Sequence, residues 1–124
     1  MYNDRAKNTL RVRCHQIAKS KNHPMNLHEL TARMNAFVTG KGWYNPGSIH
    51  PQTPRNLAIS LNLEAGEVLE HFQWREAVSD KEALAAELAD VALYLLQLAS
   101  VTEIDLEQAI LKKLEVNASR EWES

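Results

Sequence analysis

The chain of 124 residues is long enough for one ordinary domain, and 44% hydrophobic with 24% charged residues is a globular composition rather than a disordered or fibrous one. Its single cysteine, Cys14, excludes an internal disulfide or a multi-cysteine zinc site and fits a reducing, cytoplasmic setting. A net charge of -2 advertises neither nucleic acid nor membrane as the partner of the whole chain, although residues 1–24 carry Arg5, Lys7, Arg11, Arg13, Lys19 and Lys21 against Asp4 alone, while the remainder is acidic.

Residues 1–24 therefore read as a basic N-terminal extension, partly helical, because Leu10, Cys14, Ile17 and Ala18 form one narrow apolar stripe at helical spacing. The polar N-terminus reads as lacking a signal-peptide core. Residues 25–124 read as the domain proper. Glycine and proline are sparse, four of each, and three of the prolines fall between Pro46 and Pro54, which permits long helices and argues against many short strands. Asn26 followed by Glu29 is spaced as a capping box, with Met25 and Leu30 as its hydrophobic staple; a helix over 27–39 follows, ended by Gly40 and Gly42. Trp43 to Thr53 is a loop around Asn-Pro-Gly. Thr53 as N-cap and Pro54 at the first helical position open a helix to about Trp74, with Leu57, Ala58, Leu61, Ala65, Val68, Leu69 and Phe72 as core candidates.

Ser79 with Glu82 is a second formal box, and the helix it opens is apolar on nearly every side: Leu84, Leu88, Val91, Leu95, Leu96 and Leu98 fit no single stripe. Glu87, Asp90 and Gln97 interrupt it and argue against a membrane span. Such a helix predicts burial all round, and in so short a chain that requires a second subunit. Asp105 and Gln108 cap a last helix to about Arg120, with Ile110, Leu111 and Leu114 facing inward. The expected architecture is an all-α helical bundle completed by oligomerisation, as a homodimer or homotetramer.

Glu64 and Glu67 are three residues apart, about 60° around a helix, and can converge on one ligand; Glu87 and Asp90 repeat the spacing inside an apolar helix. No basic residue lies between Lys81 and Lys112 to neutralise them. Grouping carboxylates without a partner costs desolvation and mutual repulsion, and a divalent cation removes both penalties. Oxygen-only ligation suits Mg²⁺, with Mn²⁺ as its substitute, and disfavours zinc and copper. A di-iron bundle would want Glu-x-x-His pairs, and the helix carrying Glu87 has no histidine.

Glu64-Ala65-Gly66-Glu67 followed by Glu87-Leu88-Ala89-Asp90 resembles the E-x-x-E and E-x-x-D signature of the MazG-like all-α nucleotide pyrophosphohydrolases. The flanking stretches Thr53 to Ala58, Glu70 to Trp74, Asp90 to Leu96 and Lys113 to Arg120 resemble, more narrowly, the branch that contains dCTP pyrophosphatase. The resemblance covers roughly Leu27 to Arg120. It implies Mg²⁺-dependent hydrolysis of a (deoxy)nucleoside triphosphate to the monophosphate and pyrophosphate, as nucleotide-pool sanitation, with Glu64, Glu67, Glu87 and Asp90 as metal ligands and catalytic acids. It also implies phosphate contacts from Lys113 and Arg120, a phosphate or sugar contact from Asn117, and base contacts from Trp43 and Trp74. Tyr94, one turn after Asp90, joins these aromatics on the metal-bearing face. Two positions depart from the branch: Gln52 stands where it commonly has His, and Trp122 where it usually has Tyr-Pro. The competing expectation is a non-catalytic helical interaction module whose basic arm binds nucleic acid or a protein partner.

Overall fold

A computed structural model of the chain describes residues 24–121. The basic extension, apart from Pro24, and Trp122 lie outside the described residues. Four helices make up the secondary structure described: α1 (Leu27–Gly40), α2 (Pro54–Glu70), α3 (Lys81–Val101) and α4 (Leu106–Ala118).

Local chemistry sets most of the boundaries. Asn26 caps α1 by accepting the Glu29 amide at 2.9 Å, Thr53 caps α2 through Asn56, and Asp105 caps α4 through Gln108. Three boundaries differ from expectation. Beyond Glu70 the amides of His71, Phe72 and Gln73 reach back three residues, to Val68, Leu69 and Glu70, so α2 tightens into turns before Trp74. Asp80, not Ser79, caps α3: its carboxylate accepts the Ala83 amide at 3.0 Å, while the Ser79 hydroxyl oxygen accepts from Arg75. The last helix stops at Ala118, two residues short, with Ser119 as its cap.

The C-terminus of α3 closes in a Schellman arrangement, with Ile104 N–H to the Ala99 carbonyl at 2.8 Å and Glu103 N–H to Ser100 at 3.1 Å. Glu103 occupies the left-handed position, φ 58°, that usually takes glycine.

The hairpin of α2 and α3 is the main packing unit, α1 lies across α3, and α4 touches α1. Because Gln52, just before α2, reaches Gln97 near the end of α3, whereas Glu67 near the end of α2 meets Glu87 near the start of α3, the two helices run antiparallel. Met34, Val38 and Leu96 form the core cluster, with Leu27, Trp43 and Leu106 packed around it, and Leu57 is 2% exposed.

That core is smaller than the apolar pattern predicts. Of α3 only Leu96, Gln97 and Ala99 are buried, whereas Leu88, Leu93 and Leu95 are exposed. Ala58, Ala65 and Leu69 on α2, and Ile110, Leu111 and Leu114 on α4, are exposed as well, Leu69 to 70% and Leu114 to 60%. Among the described residues α3 packs on α2 and α1 and leaves these leucines open, so its expected all-round burial is not met by them. By length and composition alone α3 could also cross a membrane, a property shared by the central helix of many bundles.

Candidate active site

The inward stripe of α2 runs Leu57, Leu61, Glu64, Val68, and that of α3 runs Leu84, Glu87, Val91, Tyr94, Leu98, all buried or half-buried. Glu64 and Glu87 thus occupy positions in the helix interface that the periodicity would give to apolar residues, with Glu67 and Asp90 at the exposed rim. Glu64, Glu87 and Asp90 each offer a carboxylate oxygen within 4.8 Å of the others. Glu67 lies beside this trio, close enough to Glu64 and Glu87 to raise the pKa of both. The i, i+3 spacing on two antiparallel helices therefore brings Glu64, Glu87 and Asp90 together, with Glu67 next to them at the rim.

Their electrostatics is that of closely grouped carboxylates. Burial, followed by repulsion from Glu67 and Asp90, raises the Glu64 pKa above its ordinary value. For Glu87 the hydrogen bond with Glu67 raises it most, then desolvation, then repulsion from Glu67, Glu64 and Asp90. Glu87 Oε2 is shut off from solvent with no hydrogen-bond partner. Among the described residues no basic side chain pairs with any of the four. An orphaned, buried carboxylate oxygen beside three further carboxylates is the donor set that a hard divalent cation satisfies.

From Asp90 a cavity of about 790 Å³ extends along α3 past Leu93, Tyr94 and Gln97 and is closed by α1, the 43–52 loop and the start of α2. Trp43 lines it, held edge-on against Phe37 with centroids 5.8 Å apart and against His50 at 6.0 Å. Tyr94 lines it beside Asp90. The other expected substrate contacts lie elsewhere: Trp74 is 87% exposed in the turns after α2, Lys113 and Asn117 lie on α4 and Arg120 just beyond it, and none lines the cavity of its own chain.

Of the cavity's polar residues, Gln97, Asn56 and Ser60 carry no assigned role in the sequence, where Gln52 stands as a departure from the related branch. Gln52 and Gln97 are joined by a hydrogen bond of 2.7 Å, and Asn56 and Ser60 line the α2 side. A signal for Gln97 exists, since it follows Asp90 by seven residues and Tyr94 by three and so shares their helix face. No comparable signal marks Gln52 as its partner.

Comparison with known proteins bears on this geometry. Residues 59–123, which contain all four carboxylates, match the model of the MazG-like family. The chain is 38% identical over 76 residues to dCTP pyrophosphatase 1 of Mus musculus, an alignment covering 54% of this chain and 45% of that protein. It is 42% identical, with the same coverage, to dCTP pyrophosphatase 1 of Bos taurus. The chain thus spans about half the length of the curated relatives it matches. Among solved structures it resembles a pyrophosphatase from Archaeoglobus fulgidus DSM 4304 with a TM-score of 0.61 and 35% identity, covering 77% of this chain and 92% of that one. The all-α fold, the carboxylate pairs and the matched residues agree: this chain is a member of the MazG-like family.

Proposed function

We propose that the chain hydrolyses a (deoxy)nucleoside triphosphate to the monophosphate and pyrophosphate. The observation that carries this reading is the convergence of Glu64, Glu67, Glu87 and Asp90 at the mouth of an aromatic-lined cavity, with one buried carboxylate oxygen left unpartnered. The names of the relatives, dCTP pyrophosphatase and pyrophosphatase, support the same reaction class.

In this reading Glu64, Glu67, Glu87 and Asp90 hold Mg²⁺, for which Mn²⁺ substitutes. The bound cation supplies charge neutralisation for the triphosphate and a lowered pKa for the attacking water. Water opens the anhydride between the α and β phosphates, and its proton passes to a carboxylate not fully used as a ligand. Trp43 offers a flat face to the base and Tyr94 a phenol beside it, both at low cost in side-chain entropy. Lys113, Asn117 and Arg120 serve the phosphates and sugar, and Trp74 the base. Since these four line no part of their own chain's cavity, a second copy in a homodimer or homotetramer supplies them, and its helices also cover exposed leucines of α3 such as Leu88 and Leu95. Removal of unwanted nucleotides from the cytoplasmic pool is the role that fits this chemistry.

The test is release of pyrophosphate from a panel of nucleoside triphosphates with and without Mg²⁺. Equal amounts of monophosphate and pyrophosphate, formed only with the metal, are expected. Release of orthophosphate, or metal-independent turnover, would contradict the reading.

A further inference from the structure

The turn after α1 brings Trp43 to the cavity and, one residue later, sends a side chain back to the helices. Lys41 caps α1 and Gly42 takes the left-handed position, φ 72°. Gly42 N–H thereby reaches the Thr39 carbonyl at 3.0 Å, and Trp43 N–H the Val38 carbonyl at 3.3 Å. This is a Schellman ending, in which the residue after the glycine packs back on the last turn of its helix. The Trp43 indole accordingly packs on the core cluster of Met34, Val38 and Leu96. Its other neighbours hold it less firmly. Phe37, against which the ring stands edge-on, is 56% exposed, and His50 on the loop is exposed as well.

Tyr44 supplies a fixed point. Its hydroxyl donates to Asn35 Oδ1 at 2.6 Å, and Asn35 Nδ2 donates to Ser100 Oγ at 2.9 Å. Asn35 is half-buried in the middle of α1, and Ser100 lies in the last turn of α3, where its carbonyl accepts the Glu103 amide of the closing turn. One amide, engaged at both its donor and its acceptor end, thus ties the phenol to two helices. Among the described residues Tyr44 is the only side chain of the turn 41–47 that hydrogen-bonds to a helix. Desolvation raises its pKa above the ordinary value of 10.0, so the hydroxyl keeps its proton and this bond at neutral pH.

None of Tyr44, Asn35 and Ser100 lines the cavity, so they bear on its occupant only through a neighbour. That neighbour is Trp43, held on its N-terminal side by the Schellman bonds and on its C-terminal side by the Tyr44 pin. A stacking face that must be ordered on binding costs affinity in side-chain and loop entropy, and a face already fixed does not.

We propose that Tyr44, pinned through Asn35 to Ser100, is a positioning residue that fixes the Trp43 indole in the cavity wall before the nucleotide arrives. The inference rests on the nucleotide-hydrolase reading above, which uses Trp43, and assigns a role to three side chains that touch no substrate. A purely structural role would lower stability and leave both the ring and KM unmoved.

The experiment uses the full chain labelled with 5-fluorotryptophan, whose three fluorine resonances include that of Trp43, assigned with Trp43→Phe. In metal-free protein without nucleotide, Tyr44→Phe, which removes only the hydroxyl, and Asn35→Leu should each shift or broaden the Trp43 line and leave the other two in place. In pyrophosphate release with Mg²⁺ from the best substrate of the panel above, both variants should raise KM about fivefold and change kcat much less. Asn35→Asp, whose carboxylate accepts from both the Tyr44 and the Ser100 hydroxyls, should restore the Trp43 line and most of KM. The double variant Asn35→Leu/Tyr44→Phe should be no worse than the worse single one, because both act along one path. If Asn35→Leu fails to fold, Tyr44→Phe carries the test. A folded Tyr44→Phe with an unmoved Trp43 line, or with kcat reduced and KM unchanged, would overturn the inference and leave the hydrolase reading standing. A wild-type chain that releases pyrophosphate from no nucleotide would overturn that reading and this inference with it.

Discussion

The two halves of α3 are built on opposite principles. Toward its C-terminus Leu96 and Ala99 are buried, Gln97 donates a hydrogen bond to Gln52, and the helix ends in a closed Schellman turn. Toward its N-terminus Glu87 and Asp90 face two further carboxylates, one buried oxygen has no partner, and Leu88 lies open. The first half holds the chain together, and the second groups carboxylates that repel one another. Packing and the candidate site are thus separated along one helix by about two turns.

The sharpest break in this comparison comes from truncating each half. Leu96→Ala opens the core cluster with Met34 and Val38 and should cost about 2–5 kcal/mol of unfolding free energy in denaturant titration. Glu87→Gln should act the other way in metal-free protein, raising the melting temperature by removing one charge from the cluster, while reducing pyrophosphate release by more than about 100-fold. Destabilisation of the metal-free protein by Glu87→Gln would mean that its carboxylate is a structural partner and not a stored charge.

The pH dependence sharpens the same contrast. Glu64 and Glu87 bind protons more tightly folded than unfolded, so their contribution to stability is present at low pH and is lost as pH rises from their ordinary value of 4.5 through the raised folded values. Metal-free protein should accordingly melt lower as pH climbs through that window, and saturating Mg²⁺ should flatten the slope.

Smaller effects are expected away from the site. Glu103 holds φ 58° at the end of α3, a conformation costly for a side chain with a Cβ. Glu103→Gly should stabilise by about 0.5–1 kcal/mol once glycine's extra chain entropy is set against the relief. The smallest change concerns His28, whose ring nitrogens lie 3.3 Å from Asp105 and 3.0 Å from Glu107. The Asp105 hydrogen bond and charge, then Glu107, raise its pKa above 6.5, so the pair's stabilisation is complete below that value and fades as pH rises through the folded one. His28→Ala should lower the melting temperature slightly at pH 5 and hardly at all at pH 9.

What is legible in the sequence follows from the range of each interaction. Asn26, Thr53 and Asp105 act on amides three residues ahead, so their caps are legible in the sequence; Ser79 and Asp80 are adjacent and equally able, and only the Arg75 contact decides between them. The carboxylate cluster is legible because spacing on each helix fixes its face, and the matching second pair implies that the faces meet. The Gln52–Gln97 pair joins residues 45 apart in sequence, and no local pattern encodes it. Leu69 on α2 and Ile110, Leu111 and Leu114 on α4 read as core residues from their spacing and are exposed within the described chain, and periodicity on the all-apolar α3 does not say which side its own chain covers.

The central claim is that Glu64, Glu67, Glu87 and Asp90 form one cation site, and the most direct measurement is the melting temperature of the chain with and without Mg²⁺ or Mn²⁺. Preferential binding to the folded state should raise it in wild type, and Glu67→Gln and Asp90→Asn should each abolish the rise while leaving helical circular dichroism intact. No rise in wild type, or an equal rise in both variants, would contradict the assignment.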